Sequence, residues 1–372
     1  MLAALIPAAG LSSRMGQYKP LLPLGDATMI GTVIGRFQQA GIQEILVVTG
    51  HNHHHLAPAV EAAGARPLFN PDYALGMFSS IRTGVAGLPK GIAGFFLLPA
   101  DIPAIRTATI LRIQEKFEEN KTAVIIPTFK GETGHPPLIP ARLISAITDA
   151  DLCSNLRQIL FSNGVDIHKQ PVQLPVYDQG ILMDADTPKG YAQVKEKYAS
   201  LDVPNEAECQ AIIDDELTDM PHIKAHVQKV SDIALILARA LNQKGTTLNT
   251  RLIQAGALLH DIKRTEKHHA QAGGRWIRNL GFPNVADIVG AHMDLVPGTE
   301  LDAVQLVYFA DKLCQGDRLC LNYPDRFYQK ARQVPHAKKK ILRRLEIAQR
   351  IHAKIESVAG QSLRMIFGQH SL

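Results

Sequence analysis

Residues 2–6, LAALI, run directly into PAAGLSSRMGQYKPLLP at residues 7–23, and this junction decides the fold class of the first half of the chain. A short, wholly apolar run reads as a strand buried on both faces, as in parallel sheets. The turn after it holds Gly10 and Gly16, which allow close backbone approach, hydroxyls at Ser12 and Ser13, and positive charge at Arg14 and Lys19. Free N–H groups between a strand and a helix, backed by two cations, can hold a triphosphate. The loop lacks the GK[ST] of a Walker loop, and its G-x5-G spacing is not a dinucleotide fingerprint. Taken alone, the pattern also fits an ordinary strand–helix turn with solvated charges.

Working outward, Glu44–Thr49 and residues 94–98 and 123–127 read as further strands, while residues 29–40 and Thr107–Glu119 read as amphipathic crossovers. Such alternation predicts a mostly parallel sheet with helices on both faces. The run HNHHH at 51–55 has no adjacent carboxylate or cysteine and reads as a solvated helix start. After Tyr198 the character changes: ASLDVPNEAE at 199–208 reads as a linker, and helical periodicity then dominates to Gly360. The expected division is residues 1–200, residues 204–335, and a basic helical tail at 336–372 whose lysines and arginines form a solvated face.

Composition narrows the classes. A chain of 372 residues suits two domains of ordinary size, and 46% hydrophobic with 20% charged residues is globular rather than disordered. A net charge of +5 with no long basic run favours phosphorylated small molecules over nucleic acid. Cys153, Cys209, Cys314 and Cys320 form no C-x-x-C pair, so neither a zinc ribbon nor a disulfide scaffold is expected. The apolar runs are too short for a membrane span, and no charged segment precedes the first, so a cytoplasmic setting is expected.

Carboxylates join the loop. LLPADIP at 97–103 places Asp101 just beyond the carboxyl end of a buried strand, where open α/β sheets bind ligands, and MDADTP at 183–188 adds Asp184 and Asp186. Hard oxygen ligands beside a phosphate loop suit Mg²⁺; a loop-starting cap is the commoner role of a lone Asp. In this order, PAAGLSSRMGQYKPLLP, NPDYALGMFSSIRTG, LLPADIP, GETGHPPLI, SNLRQIL and MDADTP resemble the molybdenum-cofactor nucleotidyltransferases across residues 1–198. The match is nearest the cytidylyl-transferring branch, since guanylyl-transferring relatives usually have Gly-Gly where this chain has Ala9-Gly10. The resemblance implies a Rossmann-like nucleotidyltransferase fold. It implies that Ala8, Ala9, Gly10, Arg14 and Lys19 hold the nucleotide and that Asp101 carries Mg²⁺, with Asp184 or, preferred, Asp186 as second ligand. It further implies that Gly76, Ser79, Ser80, Gly134 and His135 line the nucleotide and acceptor cleft.

In the second half, ionisable residues fall on apolar stripes. His226 precedes the stripe Val230, Ile233, Leu237, Leu241; His260-Asp261 follow Leu252, Gly256, Leu259; His292 aligns with Val285, Ile288, Val289; Asp311 aligns with Val304, Val307, Tyr308. A single such histidine is commonly a satisfied core residue. Four helices doing this together point to a metal, because buried charge needs a partner. The order H…HD…H…D, with ALLHDIKR at 257–264, GAHMD at 290–294 and YFADKL at 308–313, resembles the HD-domain metal-dependent phosphohydrolases over about residues 205–330. That resemblance implies an all-α domain binding one or two divalent metals, Mn²⁺ or Fe²⁺, through His226, His260, Asp261 and Asp311. It adds His269 and His292 where members with two metals place extra histidines, and Arg264 near the substrate phosphate. Lys263 stands where a Gly is frequent.

The two resemblances together imply a bifunctional enzyme. It would transfer CMP from CTP to molybdopterin, release pyrophosphate and serve a molybdenum hydroxylase, while the HD domain hydrolyses a phosphoester. The alternatives are another phosphorylated acceptor with a non-catalytic, ligand-sensing HD domain, and a cofactor-binding protein without turnover.

Overall fold

The computed structural model describes residues 1–11, 15–152, 154–161, 170–296 and 298–368. Ser12, Ser13, Arg14 and Cys153, singled out above, lie outside the described residues. The chain divides into two compact units, Met1–Leu201 and Asp202–Leu372.

In the first unit, the main sheet contains β1 (Leu2–Pro7), β2 (Glu44–Thr49), β3 (Arg66–Phe69), β4 (Gly94–Leu97), β5 (Ile125–Phe129), β6 (Glu132–Thr133), β7 (Leu138–Pro140) and β8 (Val172–Pro175). Its order is β8-β5-β7-β4-β1-β2-β3, with β6 paired to β5. β1 runs parallel to both β2 and β4, β2 to β3, and β8 to β5; β7 is antiparallel to β4 and β5. The expected mostly parallel sheet is therefore present. Ala3, Ala4, Leu5 and Ile6 are fully buried, which is why LAALI carries no polar face.

The first crossover helix, α1 (Met29–Gln39), is capped by Thr28, whose hydroxyl accepts from Gly31 N, and it buries Met29, Ile30, Val33, Ile34 and Phe37. Helix α2 (His53–Ala62) begins within the histidine tract, as expected. Next come α3 (Met77–Ala86) and α4 (Thr107–Glu119), the latter with the bounds its periodicity predicts. After the short helices Ile144–Thr148 and Leu156–Phe161, α5 (Pro188–Tyr198) closes the unit, with Thr187 as N-cap and Pro188 at the first position. β3, β7 and β8 have no counterpart in the sequence reading. Each is short and contains a proline, which reads as a breaker but is tolerated at edges and strand ends, and β3 and β8 are the sheet's two edges.

Among the described residues, the regular structure of the second unit is helical apart from a small hairpin. Its elements are α6 (Glu206–Glu216), α7 (Pro221–Asn242), α8 (Thr250–Leu259), α9 (His269–Asn279), α10 (Pro283–Ala291), α11 (Ala303–Leu313), the hairpin Cys314–Gln315/Arg318–Leu319, α12 (Tyr323–Gln333), α13 (Lys338–Ala359) and α14 (Leu363–Gly368). Helix α6 starts with a capping box in which Asn205 and Glu208 satisfy each other's backbone N–H. One core joins α7, α8, α11 and α13: Val230, Ile233, Leu237, Ile253, Leu306, Ile341, Leu345 and Ile351 belong to it. The described part of the expected tail, residues 336–368, is thus not separate, because α13 has its own apolar stripe and completes this core. Only its outer face, with Lys338, Lys339, Lys340 and Arg343, is solvated as expected. Among the described residues, no helix is long and apolar enough to cross a membrane.

Candidate functional site

At the carboxyl ends of β1 and β4 lies a cleft of about 450 Å³, within the usual range for small-molecule sites. Backbone hydrogen bonds build its floor. Ala8 N donates to Val48 O at 2.8 Å, His51 N to Ala9 O at 3.2 Å and Ala100 N to Pro7 O at 3.1 Å, so three strand ends are stitched together. Ala8, Ala9, Gly10, Lys19, Gly76, Ser80, Asp101 and Asp186 all line the cleft.

Lys19 is the electrostatic centre. Its ammonium donates to Asp101 Oδ2 at 2.8 Å and to Asp186 Oδ1 at 2.6 Å. Burial alone would lower the Lys19 pKa; the two carboxylates outweigh it and hold the group above its ordinary value, so it stays charged. Two carboxylates that converge on one cation are also placed to share a divalent one. Asp184 is placed differently: it is exposed, and its Oδ1 accepts from Asp186 N at 3.0 Å, shaping the loop that presents Asp186.

Tyr18 fixes Lys19 from the neighbouring position by donating its hydroxyl to His51 O at 2.9 Å, and burial pushes that phenol up to about 12. On the opposite wall, Gly76 caps α3 with a φ of 101°, a conformation that favours glycine. Ser80 follows in the wall. Ser79, expected beside it and as buried as Ser80, is not part of this lining: its hydroxyl shares its proton between Asp72 O at 2.9 Å and Gly76 O at 2.8 Å within the loop. Asn70 organises this segment: its amide donates to Ser79 and Ser80, and its carbonyl accepts from Asp72 N and Thr83. Gly134 and His135 are not on the cleft wall. Gly134 packs against Ile181, whose carbonyl a Cβ would meet at 2.6 Å, and His135 lies beside the Leu97 carbonyl. Desolvation holds the His135 imidazole below its ordinary value, partly offset by that carbonyl and by Asp101.

The sequence-predicted cluster of the second unit converges completely. His226 Nε2 lies 3.2 Å from Asp311 Oδ1, and His260 Nε2 lies 3.7 Å from the same oxygen. Asp261 Oδ1 lies 3.3 Å from His269 Nε2 and 3.2 Å from His292 Nε2. His226, His260 and Asp311 form one group of potential ligand atoms within 4.8 Å of one another, and Asp261, His269 and His292 form another. The helix geometry explains how: His260 and His292 sit at the C-terminal ends of α8 and α10, and His226 and Asp311 face inward from α7 and α11.

Three of these imidazoles are anchored alike. Nδ1 of His226 contacts Gly316 O at 2.8 Å, that of His260 contacts Ala257 O at 2.7 Å, and that of His292 contacts Val289 O at 2.7 Å. With each Nδ1 turned to a backbone carbonyl, each Nε2 faces the cluster, the orientation of metal-ligating histidine. His260 Nε2 is buried with no hydrogen-bond partner, and burial lowers this imidazole to about 4, so it is a neutral donor. Burial would lower His226 as well, but Asp311 overrides it and pushes the imidazole up to about 10. Burial would raise both carboxyls; Lys312 and His226 hold Asp311, and the facing histidines hold Asp261, below the usual carboxylate range. A mixed nitrogen and oxygen donor set of this kind fits Mn²⁺, Fe²⁺ or Zn²⁺.

Arg264 stands at the rim, its Nη1 3.4 Å from Asp261 Oδ1 and 3.3 Å from His269 Nε2, with its side chain 46% exposed. Lys263 turns away to Glu216 and lies 4.4 Å from the centre of the Trp276 ring. Tyr18, Asn70, Gly316 and Lys312 escaped the sequence reading, since their roles depend on which neighbour each one faces.

Known proteins divide the chain along the same lines. Residues 4–167 match the MobA-like NTP transferase domain, and residues 223–316 match the HD domain. The molybdenum cofactor cytidylyltransferase of Escherichia coli is 29% identical over 198 residues, 53% of this chain and 97% of that protein. The bifunctional protein GlmU of Mycobacterium sp. (strain KMS) is 28% identical over 169 residues; the match spans 42% of this chain but only 34% of GlmU. A solved nucleotidyl transferase from Methanothermobacter thermautotroptrophicus aligns with TM-score 0.47 and 23% identity, covering 54% of this chain and 98% of that one. The chain carries a MobA-like NTP transferase domain followed by an HD domain.

Proposed function

We propose that the chain is a bifunctional enzyme, whose first unit transfers CMP from CTP to molybdopterin and whose second hydrolyses a phosphoester. The observation that carries the first half is the convergence of Asp101 and Asp186 on Lys19 in the cleft. The likeness to a cytidylyltransferase along nearly all of that protein's length supports the choice of CTP and molybdopterin. In the reaction, a terminal phosphate oxygen of molybdopterin bonds to the α-phosphorus of CTP. The bond to the β-phosphate breaks, and its electron pair leaves with pyrophosphate. Mg²⁺ held by Asp101 and Asp186 would neutralise phosphate charge. Lys19 would turn its ammonium to the phosphate oxygens, with Arg14 as the second cation the sequence offers, and the backbone at Ala8, Ala9 and Gly10 would cradle the nucleotide. Positioning and charge neutralisation are the main work of such a site.

For the second half, the supporting observation is the set of Nδ1-anchored imidazoles around two buried carboxylates. His226, His260 and Asp311, with Asp261, His269 and His292, would hold one or two Mn²⁺ or Fe²⁺ ions, which supply Lewis acidity and an activated water. Arg264 binds the substrate phosphate from the rim. The proposed setting is the cytoplasm, with a molybdenum hydroxylase receiving the product of the first unit.

A second reading keeps the transferase but takes another phosphorylated compound as acceptor, with the HD domain sensing a ligand without turnover. An acceptor screen separates the two. With CTP fixed, molybdopterin should yield a cytidylylated product by mass, with one pyrophosphate per product. A sugar or alcohol phosphate accepting CMP in its place would select the second reading. Phosphate release from model phosphoesters with Mn²⁺, lost in a His260→Ala chain, tests the hydrolase.

A further inference from the structure

The second unit contains a buried cation that its ligand set does not explain. Lys312 follows Asp311 on α11, and its side chain is 8% exposed. Its ammonium donates to Asp311 Oδ2 at 2.5 Å and to the backbone carbonyl of His292 at 3.0 Å, and it lies 4.4 Å from the centre of the Tyr308 ring. These partners belong to different groups of the cluster. Asp311 works with His226 and His260, while His292 works with Asp261 and His269. The Lys312 backbone is itself held, since Arg326 donates to the carbonyls of Lys312 at 2.7 Å and Cys314 at 2.6 Å.

We propose that Lys312 is a positioning residue of the candidate metal centre: it occupies Asp311 Oδ2 so that Oδ1 alone faces the imidazoles, and it ties Asp311 to the end of the helix that carries His292. The inference rests on the metal-centre half of the proposed function. Its physical content lies in a conflict of signs. By Coulomb's law alone, a positive charge beside the ligands repels an incoming dication, so deleting it should tighten metal binding. If Lys312 acts by orienting Asp311 and joining the two groups, deleting it should weaken binding, as loss of partners that orient metal ligands does. Removing Lys312 frees Oδ2, so that Asp311 can turn or offer both oxygens to the ion.

The test is Mn²⁺ binding by calorimetry to the metal-stripped full chain, comparing the parent with Lys312→Met and Lys312→Arg. The expected result is a dissociation constant roughly 10–100-fold weaker for Lys312→Met. Lys312→Arg, which restores a charged donor to Asp311, should return to within about threefold of the parent. Unchanged or tighter binding in Lys312→Met overturns the proposal, as does Lys312→Arg binding as weakly as Lys312→Met. Should Lys312→Met not fold, Lys312→Gln takes its place under the same criteria, since it keeps a donor but loses the charge and reach. A parent chain that binds no Mn²⁺ would instead remove the metal-centre reading itself.

Discussion

The backbone N–H of Ala185 donates to the carbonyl of Asp101 at 2.9 Å, and this one bond ties two loops distant in sequence. It sets Asp186, one residue on, opposite the Asp101 side chain, and Lys19 bridges the pair. The cleft chemistry follows from that juxtaposition.

Replacing Asp101 with Asn keeps its size but removes one of the two negative charges. Pyrophosphate release from CTP should fall by roughly a hundredfold or more, the scale of losing one well-placed electrostatic contributor. Metal analysis of the second unit should be unchanged. Near-normal transfer would place the Mg²⁺ ligand elsewhere.

Asp184 and Asp186 should separate cleanly. Asp186 contacts Lys19, whereas Asp184 accepts the Asp186 N–H. In steady-state assays Asp186→Asn should approach the loss seen for Asp101→Asn. Asp184→Asn keeps an acceptor oxygen for that N–H and should stay within about tenfold of the parent, below the loss of an electrostatic contributor. A reversed order would make Asp184 the ligand.

Converting His260 and Asp261 together to Ala removes a member of each ligand group. Bound Mn²⁺ should disappear and phosphoesterase activity with it. The thermal midpoint measured in Mn²⁺ should drop to that of the metal-stripped parent or below, because metal stabilises the folded state by mass action. CTP-dependent transfer should persist. A double variant that kept both metal and midpoint would make these residues ordinary core positions.

Asp178 is a structural counterpart outside either site. It is 1% exposed and accepts from Arg106 N at 2.8 Å, Arg106 Nη1 at 2.9 Å, Thr109 Oγ1 at 2.7 Å and Gly180 N at 3.1 Å. Asp178→Ala strips the buried Arg106 guanidinium of its carboxylate and should cost about 3–5 kcal/mol in denaturant unfolding of the first unit. A loss below about 1 kcal/mol would mean that water reaches and solvates Arg106.

Legibility from sequence followed the physics of burial. His226, His260, His292 and Asp311 stood out because a ligand inside a helical domain must interrupt an apolar stripe, and periodicity exposes the interruption. The strand before Ala8 and the one before Asp101 were legible because buried parallel strands are continuously apolar. Ser79 was not, since a serine on a cleft wall and one satisfying loop carbonyls look alike until the fold sets the direction of its hydroxyl. Lys312 shows the same limit: adjacency to Asp311 in sequence does not say that its ammonium turns back to that carboxylate. The prolines of β3, β7 and β8 hid edge and end strands, whose pairing partners lie far along the chain. The apolar stripe of α13 was obscured by the lysines and arginines that share the helix.

The most direct test of the account supplies the purified chain with molybdopterin, Mg²⁺ and each nucleoside triphosphate in turn, and scores pyrophosphate. The account predicts release with CTP well above that with GTP or ATP, lost in Asp101→Asn and preserved in the His260→Ala, Asp261→Ala chain. A clear preference for GTP, or no release with any nucleotide, would contradict it.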